Sequence, residues 1–316
     1  PGKQADQTLR DALVDTRLVH DSAALQELRV AARVSINAHL AGLRCSQVGC
    51  GEWHIRAVME QHIASEGCVS AYPPIVTTRG QVLHNHDSSR RTAKGDLLLA
   101  DVGAETPAGW AGDITRTWPV SGRWSPAQSE IYAVVLSAHA AAIATVKPGV
   151  RFRDVHLAAA RAITRGLVDL DLLRGDPEEL TAGGAHALFF PHGVGHLLGL
   201  DVHDMEDLGD AAGYPAGRTR AAQFGLHALR LDRELQAGMV VTIEPGFYQV
   251  PALLGDAEAL GLPVTALNKE TIARFPDVKG IRIEDDVLVT EQNCEILTEG
   301  LPRDLESVAA LAARNT

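Results

Sequence analysis

Apolar positions recur at helical spacing from Asp21 onward: Leu25, Leu28, Ala32, Val34 and Leu40 follow Asp21-Ser22, either of which suits an N-cap. A second helix is expected from Glu52 to about Glu66, with Trp53, Ile55, Val58, Met59 and Ile63 on its apolar face. The third has the clearest start. Ser125-Pro126-Ala127-Gln128 combines an N-cap serine, proline at N1 and glutamine at N3, and Lys147-Pro148-Gly149 marks the stop. A fourth runs through Val155, Leu157, Ala160, Ile163 and Leu167, while residues 1–20 read as polar and mixed.

Between the helices lie short β-type runs, residues 97–102, 113–118, 239–244 and 281–289. Alternation sets Arg282, Glu284 and Asp286 on one face of the last run and Ile281, Ile283 and Asp285 on the other, so an acid faces each side. Strands and helices without a regular βαβ rhythm, internal repeats or a glycine-rich nucleotide loop predict an α+β fold around antiparallel sheet.

Composition narrows the partners. The 316 residues are 46% hydrophobic and 22% charged, which excludes disorder as the main state. A net charge of −11 argues against nucleic acid or an anionic membrane surface and suits cations. No apolar run approaches the roughly 20 residues of a membrane helix, and Pro1-Gly2-Lys3-Gln4 opens no signal peptide, so a cytoplasmic location is expected. Cys45, Cys50, Cys68 and Cys294 are too few for a disulfide framework and fit buried free thiols.

Carboxylates sit where core strands should be apolar. Asp101 and Asp113 each interrupt a β run, and Thr106-Pro107-Ala108-Gly109 between them is a good turn. A hairpin centred on Pro107 would oppose the two aspartates, with Cβ atoms about 4.5–5.5 Å apart. Bare carboxylates at roughly 4 Å repel by about 4 kcal/mol at an effective dielectric near 20, so a cation is expected between them. Pairing of Asp113 with Arg116 or Arg123 is the plainer alternative. Glu244 and Glu284, on later β runs, repeat the pattern and favour one cage over four accidents.

The segment Phe189-Phe190-Pro191-His192-Gly193-Val194-Gly195-His196, followed by Leu200-Asp201-Val202-His203-Asp204, sets histidines among glycines that permit close backbone approach. His192 and His196 lack the intervening glutamate of the His-Glu-x-x-His zinc helix, and the glycines disfavour a helix there.

In their order and flanks, Asp101, Asp113, His196, Glu244 and Glu284 resemble the five metal ligands of the pita-bread metallopeptidases. The resemblance rests on Asp101-Val102-Gly103-Ala104, Gly112-Asp113-Ile114-Thr115-Arg116-Thr117, the histidine segment, Thr242-Ile243-Glu244-Pro245-Gly246 and Gly280-Ile281-Arg282-Ile283-Glu284-Asp285. The flanks at 114–117 and 281–286 resemble the proline-specific branch, aminopeptidase P and Xaa-Pro dipeptidase. It implies a catalytic domain over 21–316, with 1–20 a linker or the remnant of a missing N-terminal domain, and two pseudo-two-fold halves of antiparallel sheet flanked by helices. Residues 251–279 carry no assignable chemistry.

By the same resemblance, two divalent ions are expected, manganese first and cobalt or zinc as alternatives. Asp113 and Glu284 bridge them, Asp101 holds one, and His196 with Glu244 holds the other. Glu244 is the expected proton carrier. His203 stabilises the tetrahedral oxygen or the scissile amide, His84 lies near the substrate, and His192, Arg282 and Tyr248 line the pocket for proline. The expected substrate is a peptide with proline second, cut before the proline. A dipeptidase restricted to Xaa-Pro is the close alternative. A metal-free creatinase-like enzyme or a non-catalytic binding module on the same fold are the distant ones, and a homodimer is compatible with all of them.

Overall fold

The computed structural model describes residues 2–313. Its helices are α1 (Gly2–Arg17), α2 (Ser22–Cys45), α3 (Glu52–Ser65), α4 (Pro126–Thr145), α5 (Phe152–Asp169), α6 (Pro177–Ala182), α7 (Pro251–Asp256), α8 (Lys269–Ile272) and α9 (Leu305–Ala313). The strands are β1 (Val69–Ser70), β2 (Ile75–Thr77), β3 (Leu97–Asp101), β4 (Ala104–Glu105), β5 (Thr115–Pro119), β6 (Val240–Ile243), β7 (Gly246–Tyr248), β8 (Gly280–Arg282), β9 (Asp285–Val289) and β10 (Cys294–Ile296). The expected α+β architecture is present, with every strand pairing antiparallel.

Local signals set the helices. Asp21 caps α2 by accepting from Ala24 N at 2.8 Å, and Ser125 with Gln128 forms the full capping box at α4. Helices α2 and α3 cover the β2-β3-β5 sheet, while α4 and α5 bury their apolar faces around the β10-β9-β6 sheet and its β7-β8 extension. Each half has its own apolar cluster, led by Trp118, Met59 and Ile114 in one and by Phe189, Phe247 and Ile283 in the other.

Four features differ from the sequence reading. Residues 2–17, read as polar and mixed, form α1, whose Val14, with Leu18 just past its end, is buried in the second cluster. Asp101 faces Thr115, not Asp113. The 106–109 turn forms, yet Gly109 adopts φ +86° and Thr106 N donates to Trp110 O at 2.9 Å, giving a three-residue loop centred on Ala108. The aspartates are therefore diagonal neighbours two residues out of step, which keeps both on one face.

The run 281–289 is two strands in two sheets. The register Gly246↔Arg282 and Val240↔Leu288 is one ladder, interrupted where Pro245 has no N–H to donate, so Glu244 falls opposite Glu284 at the gap. Glu284 N donates instead across to Thr115 O at 3.0 Å, sewing the two halves together. Lastly, residues 251–279 form a buttress whose Ala257, Leu262, Ala266, Phe275 and Val278 are buried in the second cluster. All four cysteines are free; only Cys68 is buried, the others half-buried.

Behind the seam lies a buried charge cluster. Arg116 is fully buried and donates to Asp285 Oδ1 at 2.7 Å and to the carbonyls of Glu284, Leu301 and Pro302 at 2.6, 2.9 and 3.0 Å. The plainer reading, Arg116 on Asp113, is thereby set aside. Burial works to raise the Asp285 carboxyl, and Arg116 with His139 overcomes it, holding the group well below the usual range. Removing one partner leaves a bare buried charge. Asp285→Ala is expected to cost about 3–5 kcal/mol in urea unfolding, and a loss under about 1 kcal/mol would show the cluster contributes no more than a surface pair.

Candidate metal centre

A cavity of about 470 Å³ opens between the halves, and Asp101, Asp113, His196, Glu244 and Glu284 all line it. Donor atoms of Asp113, His196 and Glu284 lie within 4.8 Å of one another, all three residues buried. His196 Nε2 is 3.4 Å from Asp113 Oδ2 and 3.8 Å from Glu244 Oε1. Its Nδ1 donates to Leu197 O at 2.9 Å, which fixes the tautomer and leaves Nε2 with a lone pair facing the acids. Gly195 makes this possible, since a Cβ there would meet Thr242 O at 1.9 Å. Donors sharing one ion at about 2.0–2.2 Å sit roughly 3–3.5 Å apart, so these separations fit a cation better than they fit hydrogen bonds.

Asp101 and Asp113 meet through Tyr72, whose hydroxyl is 2.6 Å from an Oδ1 of each. A phenol has one proton, so it completes only one of these bonds. The other needs a second proton or a cation. The same shortage appears throughout the cage. Burial raises Asp101 and pushes Glu284 well up, with repulsion from Asp113 and Glu244 adding to the latter. Burial lifts Glu244 to about 7. Burial opposes charge on His196, but Asp113 and Glu244 outweigh it and raise the imidazole above its ordinary value. Four carboxylates around one neutral imidazole suit borderline-hard divalent ions, which would replace those protons.

The remaining expected residues divide. His84 and His203 line the cavity, His84 on the 78–88 loop and His203 with its ring 4.5 Å from that of His196. His192 also lines it, with Nδ1 donating to Gly193 O at 2.8 Å and Nε2 accepting from the Tyr248 hydroxyl at 3.0 Å. Burial pushes His192 and His203 down to about 3, so both are neutral imidazoles. Tyr248 does not line the cavity. It is fully buried behind it, where its hydroxyl bridges His192 Nε2 and Arg282 Nη1, each at 3.0 Å. Arg282 reaches the wall but already donates to Asp101 Oδ2 at 2.5 Å, Tyr248 at 3.0 Å and Thr115 at 3.0 Å.

Sequence reasoning missed several neighbours. Tyr72 precedes Pro73-Pro74 and has no motif of its own; pairing of β1 with β4 carries it to Asp101. Asp286 accepts the Asp113 N–H with both oxygens at 3.2 Å, a contact that the alternation of acids along 282–286 hinted at. Arg230 and His86 also line the cavity, and nothing in their local sequence marks them.

Residues 26–291 match metallopeptidase family M24. The human Xaa-Pro dipeptidase is 34% identical over 313 residues, covering 96% of this chain and 62% of the relative. Among solved structures, aminopeptidase PepP of Pseudomonas aeruginosa superposes with TM-score 0.79 at 35% identity, over 96% of this chain and 62% of its own. Aminopeptidase P of Escherichia coli with the inhibitor Pro-Leu gives TM-score 0.80 at 34% identity, over 97% and 63%. This chain thus spans less than two thirds of the length of these relatives. The fold is the pita-bread fold of the aminopeptidase P structures, and the chain belongs to metallopeptidase family M24.

Proposed function

We propose that this chain is the catalytic domain of a dinuclear metal-dependent Xaa-Pro aminopeptidase, hydrolysing the bond between an N-terminal residue and a following proline. The observation that carries this is the convergence of Asp113, His196 and Glu284, within 4.8 Å, on a cavity that Asp101 and Glu244 share. Asp101, Asp113, His196, Glu244 and Glu284 would hold such a pair of ions. Manganese is the assigned ion on donor type, with cobalt and zinc accepting the same donors. When bound, such a pair polarises the scissile carbonyl and acidifies a water.

The chain's own groups supply the rest. Glu244, on the cavity wall with Oε1 3.8 Å from His196 Nε2, is assigned to take a proton from the attacking water and hand it to the leaving imino nitrogen. His203, neutral and on the cavity wall, has one N–H to give to the tetrahedral oxygen. His84 is assigned to the substrate's scissile region, and His192 to the wall against the proline ring. Arg282 and Tyr248 act behind them, Arg282 by holding Asp101 and Tyr248 by holding both Arg282 and His192. A bond to proline has no N–H and a fixed φ, so shape recognition of the ring replaces the hydrogen bond that ordinary peptidases use.

Arg230 favours a second reading. It lines the same cavity and pairs with Glu206 at 2.5 Å. A guanidinium inside a substrate cavity suits the free carboxylate of a dipeptide, which is the dipeptidase alternative. All five ligand positions carry ligating side chains, which disfavours the metal-free and binding-module readings.

Manganese-loaded protein is expected to cleave Xaa-Pro-Yaa peptides and to lose that activity on chelation; equal activity with chelator present would refute the metal dependence. Rates on Xaa-Pro against Xaa-Pro-Yaa separate the two substrate readings. Asp113→Asn should bind fewer than the wild-type number of ions by metal analysis, and unchanged occupancy would contradict its assignment as a ligand. Glu244→Gln should lower kcat by at least about 100-fold while the folded protein survives; a near wild-type rate would remove Glu244 from proton transfer.

A further inference from the structure

The cavity wall formed by residues 198–204 starts on the catalytic halves, with Leu198 N donating to Val240 O at 3.0 Å and Gly199 O accepting from Ala111 N at 2.9 Å, and its far end is held by the segment before them. Leu200, Asp201, Val202 and His203 line the cavity, yet no regular strand or helix carries them. The loop closes on itself, Asp204 N donating to Leu197 O at 3.0 Å. Its two ends are then tied to the junction between α1 and α2. At the exit, Arg17 pairs with the Asp204 carboxylate, whose side chain is 1% exposed, and with Asp201 Oδ2 at 2.8 Å. At the entrance, His20 Nε2 is 3.0 Å from Leu198 O, and its ring packs edge-on against Trp110 at 5.3 Å.

Burial pushes the Asp204 carboxyl up, and Arg17 draws it back. Without Arg17 the loop end would hold a buried acid paired with no cation in this contact, and the loop would relax toward solvent. Arg17 precedes the family-matched residues 26–291, so the clamp belongs to the segment read from sequence as a linker.

We infer that Arg17 is a positioning residue, acting through Asp204 to hold the 198–204 loop, and with it His203, in reach of the substrate. Its kinetic consequence rests on the peptidase reading; the clamp itself does not.

The test measures steady-state kinetics of the manganese-loaded full chain on an Xaa-Pro-Yaa peptide, beside amide hydrogen exchange of peptides covering 198–204. Arg17→Ala is expected to lower kcat about 10- to 100-fold with KM within about threefold, since misplacing a group that acts on the transition state costs rate before binding. Exchange should rise at 198–204 and stay at wild-type levels in α2 and the two sheets. Arg17→Lys keeps one charge for two carboxylates and should recover kcat to within about fivefold. A kcat for Arg17→Ala within about twofold of wild type would overturn the inference. So would faster exchange across the whole chain with no recovery in Arg17→Lys, the signature of a merely structural arginine. If the wild type cleaves no Xaa-Pro peptide, the peptidase reading fails and exchange decides alone. A rise confined to 198–204 then supports the clamp, and no rise overturns it.

Discussion

Mutual repulsion among buried carboxylates around one cavity is the constraint on which the rest of the molecule depends. Two ladders each contribute two acids to one side, and the gap at Glu244-Pro245 sets one glutamate opposite the other with no backbone bond between them. Such an arrangement is tolerable only with protons or cations present. The chain restrains three of the four acids directly: Tyr72 and Arg282 on Asp101, the Asp286 acceptor beneath Asp113, and Thr115 donating to Glu284 at 2.5 Å. A cage held this way keeps its geometry whichever positive charge fills it.

Alternation along residues 282–286 divides the chemistry in two. Asp285 points away from the cavity into Arg116 and His139, and the Arg116 charge with the His139 contact overcomes burial to hold it ionised. Glu284 and Asp286, one residue either side, point the other way, and burial pushes both far up. Three consecutive acids thus serve opposite ends: one fastens the halves together, and two create the demand for cations. The same backbone bond, Glu284 N to Thr115 O, joins both functions, since it aligns the seam and aims Glu284.

The sequence made this side legible and the other less so. The carboxylates were readable because an acid inside a β run is physically anomalous, and the helices because their caps are local, as at Ser125. Registers were not readable to within two residues, since the left-handed Gly109 adds a residue to the turn without changing its composition. Pro245 was visible, but its effect on the ladder appears only with the partner strand in place. Tyr72, Arg230 and Asp286 reach the centre through long-range pairing, and no spacing rule reports that. Tyr248 lies one layer behind the wall because His192 and Arg282, contacts distant in sequence, hold it there.

The N-terminal helix bears on how such a centre is regulated by its surroundings. Asp101 sits on a rigid strand, since β3 is bonded to β2 on one side and β5 on the other. His203 is not so supported, and its side chain remains 42% exposed. A catalytic group on a loop is only as well positioned as the loop's anchors. Here those anchors, Arg17 and His20, come from a segment that contributes nothing to the cage itself. On the proposed peptidase reading, metal affinity and turnover are therefore separable: the first rests on the ladders, the second also on what grips the loop.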